Sequence, residues 1–181
     1  MLYDNQWLIK KYKANEKIKY LFFWGHQVSP DGRVTQSCLS QWWTAPFEEN
    51  GIVYPTAEHW MMAGKARLFK DDAVLEKILK AGSPAAAKKL GRQVHRFDPV
   101  IWDQQKSAIV AAGNLLKFSQ HADLKTFLLN TKDRVLVEAS PVDAIWGIGM
   151  KADHEHIENP LRWRGQNLLG YALMEVRDKL S

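Results

Sequence analysis

The sequence predicts an α+β fold, predominantly helical, with a small β-sheet. Three observations carry this reading. From residue 55 onward, segments repeatedly open on a helix-capping residue: Pro55-Thr56, Asp71-Asp72, Ser83-Pro84 and Asp98-Pro99. Only two runs look like strands apart from a hairpin, Tyr20–Trp24 and Arg134–Ala139. The hairpin is signalled by Asn50-Gly51, flanked by Phe47 and Ile52-Val53-Tyr54.

In chain order, Tyr20-Leu21-Phe22-Phe23-Trp24 reads as a short buried strand stopped by Gly25, and Pro30-Asp31-Gly32 as a turn. Residues 34–43 are ambiguous, because Gln36, Ser40 and Gln41 interrupt the apolar residues. A helix runs from Thr56 to near Phe69, and a second from Asp71 or Asp72 through Lys80, closed by Gly82. Ser83-Pro84 starts a third, stopped by Gly91. Asp98-Pro99 opens the longest helix, to about Phe118, with Ile101, Ile109, Ala112 and Leu116 on its apolar side. A short helix holds Leu124, Phe127 and Leu128. After the strand at 134–139 comes a loop with Asp143 and Trp146-Gly147-Ile148-Gly149. A final helix covers Gln166 to Lys179, with Leu169, Leu173, Val176 and Leu180 inward. No repeat, low-complexity tract or linker divides the chain, so residues 1–181 read as a single domain with 1–18 as a lead-in segment.

The length of 181 residues suffices for a real core. The net charge of +5 favours anionic partners such as phosphates, nucleotides or nucleic acid. Eight tryptophans are many for this length, and several adjoin glycine, a pattern that suits a cleft stacking a flat ring. Cys38 is the only cysteine, which excludes an internal disulfide and suggests a reducing compartment. No signal peptide or membrane-length apolar run is present, so the expected location is cytoplasmic, with no membrane partner.

The most informative segment is Tyr54–Ala66. Glu58, Met62, Lys65 and Phe69 fall on one helix face, with Glu58 and Lys65 roughly 10 Å apart along the axis. A carboxylate and an amine in an apolar stripe are costly unless paired or used, which makes them candidates for chemistry. The alternative is that Glu58 complements the helix dipole and Lys65 snorkels to water.

Metal chemistry has little support. His154 and His156 lack a third ligand at metal-site spacing, and Glu58-His59 lacks a second histidine. There is no phosphate-binding glycine loop, and Gly147-Ile148-Gly149 reads as a turn that lets backbone approach a ligand. Asp143 sits in a loop just past a strand, where catalytic groups are often presented, or serves as a turn residue. Asn167 could read a ring edge or a ribose hydroxyl, or cap the last helix. Glu58 and Asp143 as a carboxylate pair, with Trp102 and Trp146 as stacking walls, suit glycosidic bond cleavage through an oxocarbenium-like state.

At this point the chain resembles the NADAR family, which includes bacterial YbiA-like members. The landmarks are Ser37–Trp43, Tyr54–His59, Lys65-Ala66, Ala87–Arg92, Trp102, Lys117-Phe118, Leu136–Ser140, Asp143, Trp146–Gly149 and Gly165–Gly170. The resemblance implies an N-glycosidase, of ADP-ribosyl glycohydrolase type in one branch, needing no cofactor. It implies two substrate types: phosphoribosylamino-pyrimidine intermediates of riboflavin synthesis, and ADP-ribose linked to guanine in nucleic acid. The partner is therefore a phosphorylated ribosyl or ADP-ribosyl substrate, free or on ADP-ribosylated nucleic acid; oligomeric state is left open. Glu58, Trp102, Asp143 and Trp146 match positions associated with the family's site. Lys65 matches a lysine proposed to form a Schiff base with opened ribose, or else it anchors phosphate, the role favoured here. Arg92 is a candidate phosphate contact, and Asn167 and Gly147 complete the expected binding set. Ser40-Gln41-Trp42 departs from the Ser-Asn of bacterial members, and residues 27–36 form an extra segment. The rival reading is a non-catalytic ADP-ribose or nucleotide-binding module.

Overall fold

The computed structural model describes residues 2–181, which divide into two compact units. One consists of the chain up to Ser40 together with Ala122–Ser181, and the other is Gln41–His121. Among the described residues there are seven α-helices, four short strands and two 3₁₀ turns.

The Gln41–His121 unit opens with the expected hairpin. Strands β2 (Phe47–Glu49) and β3 (Ile52–Tyr54) pair antiparallel, with Asn50 and Gly51 both at positive φ in the turn. Helices α2 (Ala57–Leu68), α3 (Asp72–Leu79), α4 (Pro84–Gly91) and α5 (Pro99–Gln120) follow. Each begins where a side chain caps it: Thr56, Asp71, Ser83 and Asp98 accept backbone N–H groups that the first turn leaves over. Helix α2 is the centre, packed against α3, α4 and α5. Close approach needs small residues. A Cβ on Gly91 would lie 2.1 Å from Met62 Sδ, and one on Gly113 would lie 2.2 Å from the Trp60 ring.

The long helix departs from the expected face. Its buried side is Lys106, Val110, Gly113, Asn114, Lys117 and Phe118, while Ile101 is exposed and Ile109 half-buried. The Ile109 carbonyl accepts the Trp60 indole N–H (2.8 Å). Three polar residues sit inside, so apolar character alone misorients the helix.

In the other unit, β1 (Tyr20–Phe23) and β4 (Val135–Glu138) pair in parallel, Tyr20 opposite Val135 and Phe23 opposite Glu138. The sheet is thus two separate two-stranded ladders. Strand β1 is less enclosed than expected: only Phe23 is buried, and Trp24 beyond its end is exposed. Residues 34–43 resolve into a 3₁₀ turn, Gln36–Leu39, capped by Thr35. The lead-in segment contains helix α1 (Asn5–Lys13), capped by Asp4 and anchored by Tyr171, whose hydroxyl donates to Asn5 Oδ1 (2.9 Å). Helices α6 (Ala122–Leu129) and α7 (Leu168–Leu180) complete the unit. Buried Arg177 donates to Thr131 Oγ1 (2.9 Å) and the Arg134 carbonyl (2.8 Å), tying α7 to the turn before β4. No helix among the described residues is long and apolar enough to cross a membrane.

Helix α7 lies against β4 so closely that a Cβ on Gly170 would meet the Leu136 carbonyl oxygen at 2.1 Å. Backbone cannot yield as a flexible side chain can. Gly170→Ala is expected to destabilise by about 2 kcal/mol or more, the scale of core overpacking. Urea unfolding would register it as a lower midpoint with an unchanged slope; an unaltered midpoint would contradict this packing.

Candidate active site

Helix α2 positions the first group of candidates. The Thr56 hydroxyl accepts the His59 N–H (3.4 Å) and lies 2.8 Å from His59 Nδ1. His59 Nε2 is 3.0 Å from the Ala81 carbonyl, which only accepts, so Nε2 carries the proton and Nδ1 accepts from Thr56. Burial holds the His59 pKa below its ordinary value, with the Ala81 carbonyl opposing. The ring is therefore a neutral pin between α2 and the turn after α3.

Beside it, Glu58 is only 2 % exposed in the first turn of α2. Its backbone N–H donates to the Gln41 carbonyl (3.0 Å). The Gln41 side chain accepts from Asn114 Nδ2 (2.8 Å), which also donates to the Val110 carbonyl (2.9 Å). Gln41 thus ties the start of α2 to α5. Sequence reasoning did not assign it this role; its buried partner lies 73 positions away.

Lys65 lies two turns along the same face and is half-buried. Its Nζ sits 4.1 Å from the Phe97 ring centroid and 5.7 Å from that of Trp102. Trp102 is half-buried in the first turn of α5. Phe97 was not foreseen. It is 43 % exposed and packs edge-on against Phe69, with centroids 5.4 Å apart. The loop that carries it is fastened by Asp71, whose Oδ2 accepts both the His95 N–H (2.8 Å) and His95 Nδ1 (2.8 Å). The His95 N–H beside it holds the Asp71 carboxyl below its usual range. Arg92 is exposed at the end of α4, one turn beyond Lys88, whose Nζ is 6.0 Å from the Trp42 ring.

The remaining candidates belong to the other unit. Asp143 Oδ1 accepts the N–H groups of Ile145 (2.9 Å) and Trp146 (2.8 Å), so this carboxylate organises its own loop. Trp146 is half-buried at the end of that turn. Gly147 is packed against backbone: a Cβ there would be 2.7 Å from the Glu138 carbonyl, and one on Gly165 would be 2.3 Å from the Gly147 carbonyl. Asn167 is fully buried at positive φ before α7 and makes no side-chain cap to the helix. Its Oδ1 accepts the Glu138 N–H and its Nδ2 donates to the Leu136 carbonyl, both at 2.9 Å. The amide completes the edge of β4.

Burial lowers the Lys65 pKa below its ordinary 10.5. The unfolded chain therefore holds more protons between the lowered value and 10.5, and stability rises with pH across that window. Below both values the cost of the buried ammonium is fully present. Lys65→Met is expected to be at least as stable as the parent at pH 7 and to flatten the rise in stability at alkaline pH. Urea titrations at several pH values would test this; a markedly less stable Met variant would show the ammonium to be net stabilising.

Comparison with known proteins places this geometry. The NADAR domain family matches residues 22–181. N-glycosidase R617 of Acanthamoeba polyphaga mimivirus is 43 % identical over 169 residues, covering 91 % of this chain and 98 % of that protein. N-glycosidase YbiA of Escherichia coli is 34 % identical over 136 residues, covering 75 % and 76 %. The solution structure of E. coli YbiA superposes with a TM-score of 0.71 at 31 % identity, over 91 % of this chain and 86 % of that one. The match in sequence and in fold covers both units, and the chain belongs to the NADAR domain family.

Proposed function

We propose that this chain hydrolyses an N-glycosidic bond between ribose C1 and an amine or nucleobase nitrogen, with Glu58 and Lys65 as its principal working groups. The carrying observation is one face of α2 that holds a buried carboxyl and, two turns on, an amine between two aromatic rings. Membership of the NADAR family and relatives named N-glycosidases support the reaction class.

Cleavage leaves positive charge on the ribose ring and negative charge on the departing nitrogen. Glu58 is the general acid/base that protonates the leaving nitrogen or takes a proton from water. At 2 % exposure its carboxyl is shielded from bulk water and exchanges its proton with a bound reactant. Lys65 anchors a phosphate. Trp102 and Trp146 hold the base or ribose, Arg92 supplies a second phosphate contact, and Asp143 stabilises developing positive charge or activates water. Asn167 and Gly147 contribute through the strand edge and loop they hold. The substrate is either a phosphoribosylamino-pyrimidine of riboflavin synthesis or ADP-ribosylated guanine in nucleic acid. Offering both to the purified protein and following released sugar by mass spectrometry decides between them; release from neither removes the proposal.

Glu58→Gln is expected to keep the fold and ligand affinity while lowering kcat by roughly 100-fold or more, the scale of a lost acid/base. Parent turnover in a folded Gln variant would take Glu58 out of the mechanism.

Lys65→Arg is expected to retain appreciable activity, with no adduct trapped by borohydride during turnover. A borohydride-dependent mass gain on Lys65 would instead make it a Schiff-base nucleophile and point to an ADP-ribosyl substrate.

A further inference from the structure

Phe97 is exposed, yet the chain on both sides of it is fixed. His95 is bound to Asp71 through its backbone N–H and its ring. Arg96 follows at φ 53, a left-handed turn that a residue with a β-carbon adopts at a cost. Asp98 then caps α5, accepting from Val100 (2.8 Å) and Ile101 (3.2 Å), and Pro99 sets the first helical position. The Phe97 ring edge rests on buried Phe69, and the Lys65 Nζ lies over its face at 4.1 Å. Among the described residues the Lys65 Nζ lies against two rings, Phe97 and Trp102. An aromatic face attracts a cation through its quadrupole and leaves the ammonium hydrogens that point away free for an anion.

We propose that Phe97 is the positioning residue for Lys65: with Trp102 it holds the ε-ammonium as a cation, oriented to receive a phosphate group of the substrate. The inference rests on the phosphate-anchoring reading of Lys65. It adds that the aromatic face, and not merely apolar cover, sets the strength of that anchor. An aliphatic side chain of similar size would keep water away equally well but offer the cation nothing.

The test is a double-mutant cycle read by calorimetric binding of ribose 5-phosphate, with steady-state kinetics beside it. Lys65→Ala should weaken binding about tenfold or more, as loss of a charged phosphate contact does. Phe97→Leu should weaken it about three- to tenfold, the range of a cation–π contact, and raise KM with kcat little changed. Phe97→Tyr, which keeps the ring face, should bind within about twofold of the parent. In the Lys65→Ala background Phe97→Leu should cost nothing further. If Lys65→Ala binds like the parent, the phosphate-anchoring reading falls and this inference falls with it. If Lys65→Ala weakens binding but Phe97→Leu does not, or Phe97→Leu weakens it equally without Lys65, or Phe97→Tyr fails to restore it, only the Phe97 inference is overturned.

Discussion

The burial of α2 is the constraint on which the candidate site depends. Of its twelve residues, Ala57, Glu58, His59, Trp60, Met61, Met62, Ala63 and Ala66 are buried, so the helix has almost no solvent face. A helix enclosed this way cannot carry polar groups casually; each must be matched or must serve the reaction. The matching is explicit for three of them. Thr56 and Ala81 hold both nitrogens of His59, Ile109 takes the Trp60 indole N–H, and Gln41 receives the Glu58 amide. Glycines at 91 and 113 let α4 and α5 close on Met62 and Trp60. The helix that carries Glu58 and Lys65 is thereby held firmly, as the proposed acid/base and phosphate anchor would require.

In the other unit the same economy centres on one amide. Asn167 stands where β4 has run out of strand partners on one side, and its side chain supplies a donor and an acceptor in their place. This fixes the start of α7 against the strand, and the neighbouring carbonyl of Gly147 receives the Asn167 N–H (3.1 Å). The loop of Asp143 and Trp146 is therefore pinned at both ends: by Asp143 on its own amides, and by the 138–148 and 147–167 backbone bonds. Asp143 can hold a fixed direction because one of its oxygens already serves the turn.

Helix starts were the most legible part of the fold. Thr56, Asp71, Ser83 and Asp98 each cap as their sequence contexts indicate, because a cap is decided within three or four residues. The Asn50-Gly51 hairpin was legible for the same reason. The face of α5 was not, since its inner side includes Lys106, Asn114 and Lys117, and hydrophobic periodicity is blind to buried polar residues such as Asn114, whose partner Gln41 lies 73 positions away. Gln41 and Phe97 escaped notice on similar grounds: each acquires its role from a residue distant in sequence, Asn114 in one case and Lys65 in the other. The stripe of Glu58 and Lys65 was visible because two charges on an apolar face violate the ordinary pattern, and such violations mark functional places more often than the pattern itself does.

Lys65 shows how the two demands meet. Desolvation drives the amine toward its neutral form, whereas an aromatic face stabilises the charged one. In the proposed phosphate-anchoring role the first effect would sharpen attraction to an anion, because a half-buried cation is less screened than one in water. The second would keep the proton in place until that anion binds. A glutamate partner would hold the proton more strongly, but it would also occupy the hydrogens that the substrate needs and repel its charge. Rings give the lysine company without competing for the anion, which accounts physically for an exposed phenylalanine being fastened above an amine by a loop tied to Asp71.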